Sequence, residues 1–330
     1  MEFDYTPQYS ITNEMLELVS QIMEELGFIS YLGNLSKQPM LRKINRLKSI
    51  HSSTAIEGNT LTLEQVTAVI NGKYVIAPPN EILEVKQSFE AYKLLEEVNP
   101  LNVKDMLKVH GVMMNGLIEE AGKFRTKPVG VYKGTTAVHL APPAANVSPL
   151  VYKLYAWIKS EKVHQLIKSC ILHYEFEYIH PFNDGNGRMG RFLQSSMLAK
   201  WKPIFAWIPI ETVIRERQQE YYNAFQDCSV DSGKSNHFIV YMLNAILEAV
   251  KNIHIDSQKF IKSQTTQIQK LMEVIDQNPL SAKEIAGKLG LKSTDGLKKI
   301  YLEPAIKLGL IAMTEPDKPT SKHQKYYKAA

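Results

Sequence analysis

Apolar residues recur at every third or fourth position through roughly the first 250 residues, which is the spacing of one buried face of an α-helix. The pattern is clear over 13–26 and weaker over 41–50. Thr62 and Gln65 have the spacing of a capping box, which predicts a helix that starts there and ends before Asn71-Gly72. Three further helices are predicted, over 80–98, over 102–117 and from about 147 onward.

One stretch interrupts the helical pattern. Between Lys123 and His139, apolar residues lie on both sides of Lys133-Gly134-Thr135, which has the composition of a turn. This predicts a small β-hairpin inside a helical protein, ended by Pro142-Pro143.

Two helices are predicted on either side of a short loop that begins at His180. The first has an apolar stripe over 167–178, and Pro181 ends it, so that His180 lies at its C-terminal end. The second has its apolar stripe over 189–197. The loop is therefore expected between two buried helices.

The chain changes character near residue 262. Three helices, over 265–275, 281–290 and 294–308, are predicted to precede two short strands, over 310–313 and 326–327. Helices followed by a β-hairpin form the layout of a winged helix-turn-helix. We therefore expect a mainly α fold in three parts: an N-terminal helical region (1–100), a helical core with a hairpin (101–261) and a winged helix-turn-helix domain (262–330).

The composition favours a cytoplasmic globular protein. Hydrophobic residues make up 44% and charged residues 22% of the chain, and no run of about 18 uncharged apolar residues predicts a membrane span. The first residues lack the basic and apolar regions of a signal peptide. Cys170 and Cys228 are far apart and in no metal-ligand spacing, so we expect reduced thiols.

The residues from His180 to Arg191 combine several groups that suit phosphate chemistry. Gly185-Asn186-Gly187 precedes a helix, so its N–H groups and the helix N-terminus are suited to hold phosphate oxygens. Arg188 and Arg191 share a helix face and can bind further phosphate oxygens through planar guanidinium groups. Asp184 is a natural Mg²⁺ ligand beside a polyphosphate, and His180 can accept a proton near neutral pH.

These residues resemble the signature of the Fic family, His-x-Phe-x-(Asp/Glu)-Gly-Asn-Gly-(Arg/Lys)-x-x-Arg, at every fixed position. The similarity extends over roughly residues 40–250. It implies a Fic-type helical bundle that transfers AMP from ATP to Ser, Thr or Tyr hydroxyls of a target protein, and assembly as a homodimer. In this reading His180 is the base, Asp184 holds Mg²⁺, and Gly185, Asn186, Gly187, Arg188 and Arg191 bind the triphosphate.

The resemblance also assigns roles outside the signature. The hairpin residues Val129, Gly130, Val131 and Tyr132 are similar to a flap that pairs with an extended segment of the target. Tyr221 and Tyr222 resemble residues near the nucleotide base, although two aromatic residues in a helix are equally typical of a core.

Residues 53–58, Ser-Thr-Ala-Ile-Glu-Gly, have the local character of a helix end with a glycine stop. Beside the signature they match the inhibitory motif of the family, (Ser/Thr)-x-x-x-Glu-(Gly/Asn), at Ser53, Glu57 and Gly58. The resemblance implies that Glu57 pairs with Arg191 and so blocks productive binding of ATP. Glu57 also supports removal of AMP in some relatives, and the sequence leaves that question open.

The net charge of +5 belongs to 262–330, where twelve lysines face seven acidic residues. The wing and the third helix carry Lys298, Lys299, Lys318, Lys322, His323 and Lys325. This spacing suits contacts with DNA phosphates, but a docking surface for protein or a solvated face fits equally. Two other functions stay open: a DNA-binding regulator that senses nucleotide, and a metal-dependent hydrolase using His180 and Asp184.

Overall fold

The computed structural model describes residues 5–31, 39–133, 136–230, 234–307, 309–319 and 321–329. The chain forms two compact units, Met1–Ile253 and His254–Ala330, where the sequence predicted a division at 262. Both units are mainly helical over the residues described, in agreement with the predicted fold class.

The described helices of the first unit follow the predicted order, with the predicted capping box at Thr62 and Gln65 present. They are α1 (Asn13–Tyr31), α2 (Pro39–Ile56), α3 (Leu63–Ile70), α4 (Pro79–Lys93), α5 (Val103–Met113), α6 (Ala144–Ser160), α7 (Gln165–Ile179), α8 (Asn186–Trp201), the 3₁₀ helix Pro203–Trp207, α9 (Ile210–Glu216), α10 (Gln218–Val230) and α11 (Asn236–Val274).

The predicted hairpin consists of strands β1 (Gly130–Lys133) and β2 (Thr136–Leu140), which pair antiparallel. Gly134 and Thr135, the predicted turn, lie outside the described residues. The register shifts by one residue between Val131 and Tyr132, as in a β-bulge.

Helices α7 and α8 lie at the centre of the first unit. Most residues of both helices are buried, including Phe176 and Phe192, whose side chains have no exposure. One apolar cluster surrounds Phe182 and Phe192, and a second contains Ile171 and Phe238. The loop from His180 to Gly185 is therefore carried on two helices that the core holds on nearly every side.

Helix α11 continues through the division between the units. The predicted separate helix from Thr265 is wrong, because Asn236–Val274 is one helix without a glycine or proline to end it. Its segment Asn236–Ile255 has the length and apolar composition of a membrane span, but 56% of that window is buried, as is common in a core helix. Cys170 and Cys228 are both buried, and neither forms a disulfide bond.

The second unit contains short helices and a three-stranded antiparallel sheet in the order β3-β5-β4. The predicted third helix is divided by one turn of π-helix, Lys298–Leu302. The other elements are β3 (Leu280–Ser281), α12 (Ala282–Lys288), α13 (Thr294–Leu297), α14 (Glu303–Lys307), β4 (Ile311–Met313) and β5 (Lys325–Lys328). Leu271, Ile285, Leu297 and Tyr326 form the core of this unit.

Candidate active site

His180 follows directly on the last residue of α7 and has an unusual backbone. Its φ of 51° is in the left-handed region, and it is the one non-glycine residue of the described chain with a positive φ. Such a conformation costs about 1–3 kcal/mol and persists where surrounding contacts fix it. Arg125 makes the contacts that fix the backbone of His180.

The buried guanidinium of Arg125 fixes the backbone on both sides of this residue. Its Nε donates to the carbonyl oxygen of His180 at 2.7 Å, and Nη2 donates to that of Ile179 at 3.3 Å. Arg125 also donates to the carbonyl oxygens of Lys127 and Pro142, which flank the hairpin. One cation thus joins the hairpin to the turn that carries His180, a role the sequence analysis missed because nothing in the local spacing marks it.

The imidazole of His180 has a defined orientation. Nδ1 lies 3.3 Å from the carbonyl oxygen of Glu177, and because a carbonyl only accepts, Nδ1 must donate. In the neutral ring, Nε2 is then the nitrogen with a lone pair that can accept a proton. The geometry therefore suits a general base.

The turn Gly185-Asn186-Gly187 opens helix α8 as predicted. Gly185 has a φ of 82°, and a Cβ at this position would lie 2.7 Å from Sδ of Met114, so both conformation and space require glycine. The side chain of Asn186 bonds twice to the backbone of Phe182, which closes the loop on itself. Asn186 thus shapes the turn, while the N–H groups at the start of α8 supply the positive potential.

His110 of α5 holds the same loop from the other side. Its ring stacks on Phe182 with centroids 3.6 Å apart, and Nδ1 accepts from the backbone N–H of Gly122 at 2.9 Å. Nε2 must then donate to the carbonyl oxygen of Asp184, 3.0 Å away. Burial lowers the pKa of His110 to about 4, so the ring keeps this neutral tautomer at neutral pH.

Both arginines of the signature pair with carboxylates. Nη2 of Arg191 donates to Oε1 of Glu57 at 2.6 Å, and Arg191 also bonds to the hydroxyl and the carbonyl oxygen of Ser53. The Arg191 side chain is 1% exposed. Burial lowers its pKa, but Glu57, Tyr221 and Glu177 together raise it by more, so the net shift is upward and the guanidinium stays charged.

Arg188 binds two carboxylates, one of which the sequence analysis missed. Nη1 lies 2.7 Å from Oε1 of Glu84 on α4, and Nη2 lies 3.1 Å from Oδ1 of Asp184. The Asp184 side chain is 57% exposed, whereas Glu84 is 14% exposed. Glu84 precedes the signature by about a hundred residues and belongs to no local motif, so only the fold reveals it.

Glu177 is a further buried carboxyl group near Arg191. Burial raises its pKa to about 8, with Arg191 opposing the shift and Glu57 adding to it. Oε1 of Glu177 is buried and has no hydrogen-bond partner among the described residues. At neutral pH this group is mostly protonated, so Glu57 is the carboxylate that neutralises Arg191.

The structure brings most of the predicted site residues together. Ser53 and Glu57 lie against Arg191, and Oε1 of Glu57 lies so close to Gly187 that a Cβ there would require the Glu57 side chain to move. Gly58 has a φ of 98° and ends the turn after α2.

The two predicted tyrosines have different surroundings. Tyr221 is 5% exposed, and its hydroxyl lies 3.1 Å from Nε2 of His173 inside an aromatic cluster. Tyr222 is 41% exposed, and its hydroxyl donates to the carbonyl oxygen of Ile56 at the end of α2. Tyr221 is thus a core residue in this state, while Tyr222 contacts the helix that carries Glu57.

Two sequence-family models match the chain. The model of the Fic/DOC family matches residues 100–198, and that of the "Filamentation induced by cAMP protein Fic-like, C-terminal domain" matches residues 266–327. The first includes the hairpin and the signature turn, and the second includes most of the second unit.

Solved structures and a curated relative agree with these matches. A Fic family protein from Desulfovibrio desulfuricans is 40% identical, with 99% of each chain covered and a TM-score of 0.74. A Fic domain containing signaling protein from Bacteroides thetaiotaomicron shares the fold at 20% identity and a TM-score of 0.60, over 75% of this chain and 98% of that one. "Protein adenylyltransferase Fic" of Nematostella vectensis is 29% identical over 64% of this chain, which spans 49% of that relative's length.

Proposed function

The chain belongs to the Fic family, and from this premise we propose that it transfers AMP from ATP to a hydroxyl group of a target protein. The observation that carries the proposal is the meeting of an oriented base, an anion-binding turn and two arginines at one end of α8. The name adenylyltransferase of the curated relatives supports the same reaction.

The site residues divide the reaction between them. Nε2 of His180 accepts the proton of the target hydroxyl, whose oxygen bonds to the α-phosphorus. The bond from the α-phosphorus to the oxygen that bridges to the β-phosphate breaks, and pyrophosphate leaves. The N–H groups of Gly187 and neighbouring residues at the start of α8 hold phosphate oxygens, and Arg188 and Arg191 stabilise the charge that builds up on them.

Asp184 fits the Mg²⁺ that such a reaction implies. Its carboxylate is more than half exposed beside the turn, and Mg²⁺ usually takes one or two carboxylates together with phosphate oxygens. The described residues contain no group of three or more His, Cys, Asp or Glu side chains that could hold a metal, so the ion would bind with the nucleotide. When bound, it would neutralise charge on the triphosphate and on the leaving pyrophosphate.

We further propose that Glu57 inhibits this reaction. Its carboxylate lies between Gly187 and Arg191, where the turn would hold phosphate oxygens. A carboxylate and a phosphate cannot occupy this position together, so ATP must displace Glu57 or bind in an unproductive position.

The hairpin is the proposed docking site for the target. β1 and β2 pair with each other in a two-stranded sheet, so the outer edge of each strand can pair with an extended segment of another protein. Arg125 connects the hairpin to His180, so a segment bound at its edge would lie close to the base. Val129, Gly130, Val131 and Tyr132 are the residues we assign to this contact.

Labelling with two forms of ATP tests the reaction. With Glu57→Gly, label on the α-phosphate should become covalently attached to protein, and label on the γ-phosphate should not. Protein labelled from the γ-position would indicate phosphoryl transfer instead. Bound but unreacted ATP would favour a nucleotide-sensing regulator, and release of free nucleotide without protein label would favour a hydrolase.

We also propose two partners, duplex DNA and a second copy of the chain. Lys298, Lys299 and the wing lysines of the second unit are exposed, which suits contact with DNA phosphates. Binding of the full chain to duplex DNA should weaken steeply with salt. If the Lys298→Glu/Lys299→Glu variant binds DNA with the affinity of the wild type, these two lysines do not contact DNA. The homodimer that the family resemblance implies should appear as concentration-dependent mass in sedimentation.

A further inference from the structure

We propose that Asn59 and Glu84 form a latch that holds the inhibitory segment, residues 53–58, on the catalytic helix α8, in addition to the pair of Glu57 and Arg191. Asn59 follows directly after this segment, and its Nδ2 donates to Oε2 of Glu84 at 2.8 Å. The other oxygen of the same carboxylate accepts from Nη1 of Arg188 at 2.7 Å. The inference rests on the proposed function, because it concerns how inhibition of that site is maintained.

The latch joins three parts of the first unit through one carboxylate. Glu84 lies on α4, Arg188 lies on α8, and Asn59 belongs to the turn after α2. Asn59 is 8% exposed, and the side chains of Arg188 and Glu84 are 6% and 14% exposed. Hydrogen bonds between charged groups are strong when they are this well shielded from water.

Asn59 is itself fixed to the inhibitory segment. Its backbone N–H donates to the carbonyl oxygen of Thr54 at 3.2 Å, and its Oδ1 accepts from the N–H of Leu61 at 3.1 Å. Nδ2 also donates to the carbonyl oxygen of Glu81 on α4, at 3.1 Å. Because the residue is bound to the helix end by its backbone and to α4 by its amide, the segment cannot withdraw from Arg191 without loss of the bond to Glu84.

This arrangement predicts cooperation between two contacts. Glu57 neutralises Arg191, and Glu84 neutralises Arg188 while it holds Asn59. Loss of either contact should make release of residues 53–58 easier, because the segment would then lose one of the contacts that hold it on α8 and α4. The latch therefore acts on the population of the inhibited state and leaves the chemical step unchanged.

Asn59→Asp is the variant that isolates the latch. It keeps the oxygen that accepts from Leu61, but replaces the donor by an oxygen that faces the Glu84 carboxylate. We expect about a tenfold faster AMP transfer than in the wild type, the size of effect that loss of one hydrogen bond to a charged group produces. In a Glu57→Gly background, where the inhibitory carboxylate is already absent, Asn59→Asp should change the rate of AMP transfer little.

Hydrogen–deuterium exchange provides a readout that does not depend on catalysis. Amides of 54–61 should exchange about tenfold faster in Asn59→Asp than in the wild type. The double variant Asn59→Asp/Glu84→Gln should restore slow exchange, because the side-chain amide introduced at position 84 can donate to the new carboxylate and its oxygen can accept from Arg188. Glu90→Gln is the matched control on the same helix, because the Glu90 side chain is exposed and bonds to Lys93, and it should leave exchange of 54–61 unchanged.

The outcomes separate the latch from the proposed function. Faster exchange without AMP transfer in any variant, Glu57→Gly included, would support the latch and overturn the proposed reaction. An active Glu57→Gly protein combined with wild-type exchange and transfer in Asn59→Asp would overturn the latch alone. If Asn59→Asp raises exchange throughout the first unit by general destabilisation, the double variant decides: failure to restore slow exchange in 54–61 overturns the latch.

Discussion

The signature turn, residues 180–191, and the inhibitory segment, residues 53–58, meet at Arg191 but are held in different ways. Arg125 and His110 fix the turn through buried backbone carbonyl groups, and Asn186 closes it on itself. The inhibitory segment is held there mainly by contacts with side chains of α8 and its neighbours, in which Ser53 and Glu57 bind Arg191. From this difference we infer that the turn stays formed when the segment moves away from Arg191.

The charge of Arg191 explains why a triphosphate can replace Glu57. Removal of one partner from a buried ion pair typically costs about 3–5 kcal/mol, because the other charge is left without compensation. A triphosphate that replaces Glu57 would keep Arg191 paired throughout, so the net cost is far smaller. The backbone hydrogen bonds that hold the turn have no such replacement in the nucleotide.

The largest expected effect concerns His180, the base in the signature turn. In the Glu57→Gly background, His180→Ala should lower the rate of AMP transfer by about 10²–10⁴-fold, the range for loss of a general base. Affinity for ATP should change little, since the turn and both arginines remain. Initial rates with α-labelled ATP, with ATP affinity measured by calorimetry, check this; a rate within about threefold of the parent would show that His180 is not the base.

A second, smaller effect should follow from loosening the turn. His110→Ala leaves the N–H of Gly122 and the carbonyl oxygen of Asp184 without their partner, which should lower the free energy of unfolding by about 2 kcal/mol or more. The KM for ATP should rise because Asp184 and the turn are less well positioned. Thermal melting and KM measurements test this.

Two conservative variants at His110 separate its contact with Asp184 from its contact with Gly122. His110→Gln keeps a donor toward Asp184, and His110→Asn keeps an acceptor toward Gly122. If the ring acts through Asp184, KM should recover more in the Gln variant than in the Asn variant. Equal KM values in all three variants would contradict a positioning role.

The two regions should also be linked by a pH dependence of stability. Burial raises the pKa of Glu177 to about 8 from 4.5, so the protonated carboxyl stabilises the fold fully below about pH 4.5, and this stability is lost as the pH rises toward 8. Between these limits the slope should be about 1 kcal/mol per pH unit. Chemical denaturation from pH 5 to 8 should show this slope in the wild type and a shallower slope in Glu177→Gln.

Glu57 adds to the upward shift of Glu177, so its removal should move the pH dependence. In Glu57→Gly the loss of stability should end at lower pH and be smaller in total than in the wild type, because removal of a like charge lowers the pKa of Glu177 in the folded state. Identical pH profiles of stability in the two proteins would show that Glu177 and Glu57 do not interact beside Arg191.

The sequence predicted those features that depend on neighbouring residues. His180, Asp184 and the arginines could be predicted because their spacing within twelve positions defines the turn. The capping box at Thr62 and the hairpin were predicted for the same reason. Glu57 was predicted only because the family resemblance supplied an inhibitory motif.

Features that depend on distant contacts escaped prediction. Arg125, His110 and Glu84 act on residues 55, 74 and 104 positions away, and no local pattern marks them. The division at 262 was expected from the start of the lysine-rich region, but helix formation is indifferent to that change of charge, and α11 continues to Val274.

We propose above that Glu57 occupies the position of a phosphate on Arg191 and so restrains AMP transfer at the signature turn. The most direct test compares initial rates of AMP incorporation from α-labelled ATP by the wild type and by Glu57→Gly at equal, saturating Mg²⁺. We expect a rate in Glu57→Gly about tenfold higher or more, because ATP no longer has to displace a hydrogen bond between charged groups, which contributes about 1.5–3 kcal/mol. Equal rates in the two proteins would contradict it.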